Sequence, residues 1–227
     1  MKRIGFIIIC LGLSIVLNAQ KLNRVIITQN SKSVMLCFLA ENNTYIHLSS
    51  EGQLLEWGPD FPRGSMFYYP GKLNPYMGRV DNYPENSNPA LRGKPRYIGA
   101  SAITYYTADE NELLTGKVKS IGPNMISYYL AFEDAALRGK IQRAGSVQVN
   151  YFGSFDNEAI QGKLQSVGNT RIEYYTSFDD KAFRGKIKQV GPYGLTYFPS
   201  FDNRMPGALK SGLLQMEVNG IEYIVKQ

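Results

Sequence analysis

Five Gly-Lys pairs cross the middle of the chain at a constant step: Gly93-Lys94, Gly116-Lys117, Gly139-Lys140, Gly162-Lys163 and Gly185-Lys186, each 23 residues after the last. Other columns keep that step. One is an aromatic pair, Tyr105-Tyr106, Tyr128-Tyr129, Tyr151-Phe152, Tyr174-Tyr175 and Tyr197-Phe198. Another is a phenylalanine ahead of two short polar residues, at Phe132, Phe155, Phe178 and Phe201. A period of this length marks stacked units, because one unit of that size cannot bury its own apolar face.

Within a unit the pattern is that of a β-hairpin. From Gly139, a short strand runs to Ala144, Gly145-Ser146 makes the turn, and Val147–Phe152 returns. The turn column reads Gly122-Pro123, Gly145-Ser146, Gly168-Asn169 and Gly191-Pro192. Glycine first and a variable second residue is the chemistry of a type II′ turn. Strict alternation then puts Ala144, Val147, Val149 and Tyr151 on one face, with Ile141 and Phe152 on the other. The segment that follows, Ser154 to Gly162, reads either as one capped helical turn or as a wide loop. Its column Leu114, Leu137, Ile160, Phe183 tucks an apolar side chain inward.

The flanks read as β too. Residues 20–57 form an N-terminal hairpin region, with Ile46 and Leu48 on one face of a strand and Tyr45 and His47 on the solvent side. Residues 58–92 hold six of the eleven prolines, which remove ladder donors. They read as a connector or a degenerate repeat, since Val80 and Tyr83 lie 23 residues before Ile103 and Tyr106. Five repeats fill 93–210. In 211–227, Asn219-Gly220 sits between apolar runs, a strong hairpin signal, and this hairpin is expected to cap the array. The fold class is all-β, an array of antiparallel hairpin repeats in an elongated meander or solenoid-like sheet.

Residues 1–19 carry Lys2 and Arg3, an apolar run from Ile4 to Leu17 and a small residue at Ala19, the pattern of a secretory signal. The run is shorter than the roughly 20 residues that span a bilayer, so the chain is expected in the periplasm or at the cell surface, without a transmembrane segment once the leader is cleaved. Cys10 has Ile7-Ile8-Ile9 before it, where a lipidated cysteine would have small residues. Cys37 is then the single cysteine, inside an apolar strand, and reads as an inert buried thiol. The positive charge is mild and spread along the chain, unlike the concentrated patch of a nucleic-acid binder.

The repeat resembles the MORN repeat, through Tyr174, Phe178, Gly185-Lys186, Gly194 and Tyr197. MORN units carry a glycine two residues after the first aromatic and Gly-x-Gly in the second half; here Thr176 or Ser177 and Ile187 stand instead. The likeness covers about residues 93–210, and is shared with the Tyr-rich Gly-Lys repeats of exported bacterial proteins. It implies lipid or protein contact and carries no catalytic residue across.

Three columns could do chemistry. Lysines at Lys117, Lys140, Lys163 and Lys186 could track a polyanion, such as an acidic glycan or lipid headgroups, or could keep strand edges soluble. The rings of Tyr129, Phe152 and Tyr175 could stack on sugars or belong to the core. Glu133, Asp156, Asp179 and Asp202 could seat calcium, or close turns. One histidine leaves no Ser-His-Asp set and no zinc motif, so no catalytic, metal or cofactor residue is assigned. The expectation is a non-catalytic envelope module that binds a protein, glycan or lipid headgroup along the array. The alternative is a carbohydrate-active hydrolase or glycan-binding module using the tyrosine and acidic columns, signalled by two unlike carboxylates near the 58–89 segment.

Overall fold

The computed structural model describes residues 21–29, 33–66 and 68–227. The expected leader, residues 1–19, lies outside them. Strands β1 (Lys21–Thr28), β2 (Val34–Leu39), β3 (Thr44–Ser49) and β4 (Leu54–Pro59) form an antiparallel run. The array follows as β5 (Val80–Asn82), β6 (Pro95–Ile98), β7 (Ser101–Tyr105), β8 (Val118–Ile121), β9 (Asn124–Tyr128), β10 (Ile141–Ala144), β11 (Val147–Tyr151), β12 (Leu164–Val167), β13 (Thr170–Tyr174), β14 (Ile187–Val190) and β15 (Tyr193–Gly194). These eleven strands make one sheet in sequence order, a meander of hairpins. A short pair closes the fifth repeat, β16 (Thr196–Tyr197) with β17 (Leu209–Ser211). The last hairpin is β18 (Gln215–Val218) and β19 (Ile221–Lys226). The protein is all-β. Among the described residues helix is limited to two single 3-10 turns, and no helix is long and apolar enough to cross a membrane.

Each array hairpin turns as the glycine column predicts. Gly122, Gly145, Gly168 and Gly191 have φ between 52° and 62°, while the residue after each keeps a negative φ, which is the II′ signature. Strict alternation fails on the first strand of each repeat. Ile141 and Ala144, three apart, both face inward and are buried. The ladder skips one residue there: Ile141 pairs with Tyr128 and Arg143 with Ser127, so Gln142 bulges out. Equivalent skips fall at Arg96, Lys119, Gln165 and Lys188. A bulge rotates the strand by one side chain, and the expectation that Ile141 shares the outer face is corrected accordingly.

The inner face of the array is thus apolar from Ile98 to Tyr197, and a second sheet covers it. The terminal hairpin does not extend the array: β19 pairs in parallel with β1, giving a six-stranded sheet ordered β18-β19-β1-β2-β3-β4. Val25, Ile27, Leu36, Phe38, Ile46, Leu48, Tyr223 and Val225 from this sheet join one cluster with the array's inward residues. Polar groups lock the layers. Val118 N–H donates to Gly52 O at 2.9 Å and Ile141 N–H to Ser50 O at 2.7 Å, so the turn between β3 and β4 meets two bulged strands. Gly52 lies so close to Tyr128 that a Cβ there would fall 2.0 Å from the phenol oxygen.

The Pro-rich segment divides in two. Val80–Asn82 belongs to the array sheet, and Tyr83 occupies the second aromatic column. Ahead of it, Asp60 bridges Leu73, and Gly71 lies against Ile26 and Ile224 on the other face of the six-stranded sheet. His47, expected on the solvent side, is fully buried; it pairs across the ladder with Cys37, which clusters with Ile26 and Ile224 beneath this strap.

The tyrosine hydroxyls give a direct test of the packing. Tyr128 Oη donates to Val118 O at 2.5 Å, whereas the buried Tyr151 hydroxyl has no hydrogen-bond partner among the described residues. Tyr128→Phe is expected to cost about 1 kcal/mol, and Tyr151→Phe to be neutral or stabilising. Urea unfolding midpoints check this, and the reverse order would refute the assigned hydroxyl environments.

Candidate functional site

The repeated columns can be sorted by where their side chains end. The glycine of each Gly-Lys pair has φ between 68° and 77°, in the left-handed region. A Cβ on Gly116, Gly139 or Gly185 would meet the preceding repeat's lysine Nζ at 2.6–3.0 Å. That lysine crosses from one repeat to the next. Lys94 and Lys117 donate to Gly116 O and Gly139 O at 2.6 Å, Lys163 donates to Gly185 O at 2.5 Å, and Lys140 and Lys186 bond Gly162 O and Gly207 O. Each ammonium also lies 5.0–5.4 Å from the centroid of the first-column tyrosine of its own repeat, Tyr105, Tyr128, Tyr151, Tyr174 or Tyr197. Charge-assisted bonds and cation–π contact fix these groups between repeats. Lys117, Lys140, Lys163 and Lys186 are therefore inter-repeat staples rather than a positive stripe offered to a polyanion.

The aromatic columns are likewise internal. Tyr129 and Phe152 are buried and Tyr175 is half-buried. Each second-column ring meets the next repeat's first-column tyrosine edge to face at 5.8–6.2 Å, from Tyr83–Tyr105 to Tyr175–Tyr197. Such pairs contribute about 0.5–1.5 kcal/mol each beyond burial. Tyr83, Tyr106, Tyr129 and Tyr175 hydroxyls donate to the carbonyl 20 residues ahead, at 3.1–3.2 Å. Of the two readings of Tyr129, Phe152 and Tyr175, sugar platform or core, this packing fits the core one.

The acidic columns close and clamp the wide loops. Asp156 and Asp179 accept the backbone N–H three residues back at 2.6 Å, and Glu133 does the same at Leu130. The next residue reaches the following repeat. Asp134 accepts from Ser154 N–H and Oγ–H, Asn157 bonds Ser177, and Asp180 accepts from Ser200. The Ser154 bonds hold Asp134 below the usual carboxylate range, and the Ala182 N–H, with Ser200 adding to it, does the same for Asp180. Among the described residues no three His, Cys, Asp or Glu side chains form a group suited to a metal.

Two carboxylates do meet near the Pro-rich strap, on one cation. Arg24 forks to Asp60 Oδ1 and Oδ2 at 2.8 and 2.5 Å and donates Nε–H to Glu222 at 2.5 Å. A hydrolase pair needs two carboxyls in unlike surroundings; here both are turned onto the same guanidinium. Nearby, His47 Nδ1 lies 3.0 Å from Glu56, and burial lowers its pKa, which keeps it neutral. Cys37, its cross-strand neighbour, is sealed off and its thiol is pushed up by burial, the opposite of an activated nucleophile.

One column is periodic and uncovered. Phe132, Phe155, Phe178 and Phe201 are 83, 102, 92 and 81% exposed. They stand at the tips of consecutive clamped loops, along the edge opposite the glycine turns. Equivalent residues in successive repeats are two strands apart, about 9.5 Å. Their exposure was not legible in the sequence; the same column was plain there, but a phenylalanine in a loop reads equally as a tucked core residue.

No protein-family model, curated protein or solved structure matches the chain.

Two solution tests follow. Replacing Lys117, Lys140 and Lys163 with Gln should lower stability by about 1 kcal/mol each, the loss of a charge-assisted bond discounted for partial exposure; an unchanged urea midpoint would refute the staple. Alkali should unfold the protein. Burial raises the phenol pKa of nine array tyrosines, among them Tyr105, Tyr128, Tyr151 and Tyr174. Their contribution is intact below the ordinary value of about 10 and lost as pH rises past it, because the unfolded chain ionises first. Lys94, Lys117 and Lys186 are lowered by burial and act with the opposite sign, against the nine tyrosines. Phenolate absorbance should rise together with loss of the β circular-dichroism signal; a smooth titration of all tyrosines with the fold retained would contradict this.

Proposed function

We propose that this chain is a non-catalytic interaction module, exported to the bacterial cell envelope, that binds a partner along the loop edge of its repeat array. The observation that carries the reading is the row Phe132, Phe155, Phe178, Phe201. Covering one phenylalanine is worth about 1.5–3 kcal/mol, and here four in register are left to solvent, where aligned apolar groups mark a contact surface. The clamps Asp134–Ser154, Asn157–Ser177 and Asp180–Ser200 hold the loops in place, so little ordering cost is left for association. The basic start and apolar run of residues 1–19 support the address.

A photo-reactive phenylalanine analogue at position 155 or 178, in cells producing the protein, tests this. Irradiation should give the same cross-linked species from both positions, in the envelope fraction. The same analogue at position 192, on the turn edge, should give none. Cross-linking from 192 alone would refute the proposal, as would a product confined to the cytoplasm.

A further inference from the structure

The loop edge has a period and a sign, and both select a partner. Setting aside Lys117, Lys140, Lys163 and Lys186, whose ammonium groups are fastened to glycine carbonyls at the loop bases, the five wide loops between Thr107 and Pro206 hold ten carboxylates against four basic side chains, although the whole chain carries a net charge of +6. Asp109, Glu110 and Glu112 concentrate the negative charge at one end of the row. An acidic edge repels anionic lipid and acidic glycan, and attracts a cation-bearing partner.

The period is more selective. The phenylalanines recur every ~9.5 Å, so the four span about 28.5 Å. A polyproline II helix turns once in three residues with a rise of about 3.1 Å, and so presents the same face every ~9.3 Å. Over three intervals the mismatch is about 0.6 Å. An α-helix offers the same face every ~5.4 Å; two turns per interval overshoot by about 4 Å over the row. An extended strand repeats its face every ~6.7 Å and falls out of step at the second ring. Proline-rich helices are preformed and dock on aromatic rings at low entropic cost.

Resting on the reading of the phenylalanine row as the binding surface, we infer that the partner is a proline-rich, lysine- or arginine-bearing segment in the polyproline II conformation. Its prolines lie on successive phenylalanine rings, and its cations lie beside the loop carboxylates. One turn of the ligand answers one repeat of the array.

The probe is a fluorescent peptide of about five Pro-Pro-Lys units, roughly 46 Å long as a polyproline II helix, titrated with the exported chain by anisotropy. A Gly-Ser-Lys peptide of equal length and charge, a neutral chitin oligosaccharide and phosphatidylglycerol vesicles are the comparators. Pro-Pro-Lys is expected to bind at least about tenfold more tightly than Gly-Ser-Lys, separating helix from charge. The variant carrying Phe155→Ala and Phe178→Ala should lose at least about tenfold in affinity with its circular dichroism unchanged, since both rings are exposed. Affinity should fall as salt shortens the Debye length from about 10 to 3 Å. Equal binding of the two peptides, or no peptide binding, overturns the inference. If the oligosaccharide or vesicles bind and the variant abolishes it, the inference fails while the row stands as the binding surface. Pro-Pro-Lys binding that ignores the variant overturns both.

Discussion

The array's inner face is apolar along its whole length, and an uncovered sheet of that kind cannot stand in water. Everything else in the molecule follows from how it is covered. The lid is a six-stranded sheet assembled from both ends of the chain, joined where β19 pairs in parallel with β1. Bulges turn Val118, Ile141, Leu164 and Ile187 inward beside Ile121, Ala144, Val167 and Val190, and two of the bulged strands are bonded by Gly52 and Ser50 carbonyls. The repeats and the termini thus complete each other, and the most distant segments of the sequence are among the most tightly coupled.

Periodicity in this chain records bonds between repeats. Lysine to glycine carbonyl, tyrosine to tyrosine, second-column hydroxyl to a carbonyl 20 residues on, and loop Asp or Asn to the next serine all cross from one unit to its neighbour. A residue that repeats because it fastens the array is already engaged, whatever its charge or chemistry suggests in isolation. The phenylalanine column repeats without fastening anything, and this separates it from the rest as the surface offered outward.

Much of this was legible. The 23-residue step, the II′ turns and the Asn-Gly hairpin follow from backbone chemistry that glycine advertises locally. The bulges were signalled by Ile141 and Ala144 standing three apart, a spacing that alternation cannot place on one face, yet the strand rule hid it. His47 was misplaced because its strand face is not the solvent side: it is the face of Cys37, Ile26 and Ile224, against which a proline-rich strap with no period to read is packed. The reach of the lysines was hidden for a related reason: a Gly-Lys pair states which residue needs a positive φ but not that the ammonium reaches one repeat ahead. Exposure of the phenylalanines depends on where a loop tip lies in three dimensions, and hydropathy carries no such information.

The dependence of the array on its lid is tested most directly by removing residues 213–227, which deletes both strands of the hairpin that joins β1. Urea unfolding followed by circular dichroism is the measurement. The account predicts that the truncated chain loses its cooperative transition and binds a dye for exposed apolar surface, as states without fixed packing do. A truncated chain that unfolds in one sharp transition, with midpoint and slope near those of the full chain, would contradict it.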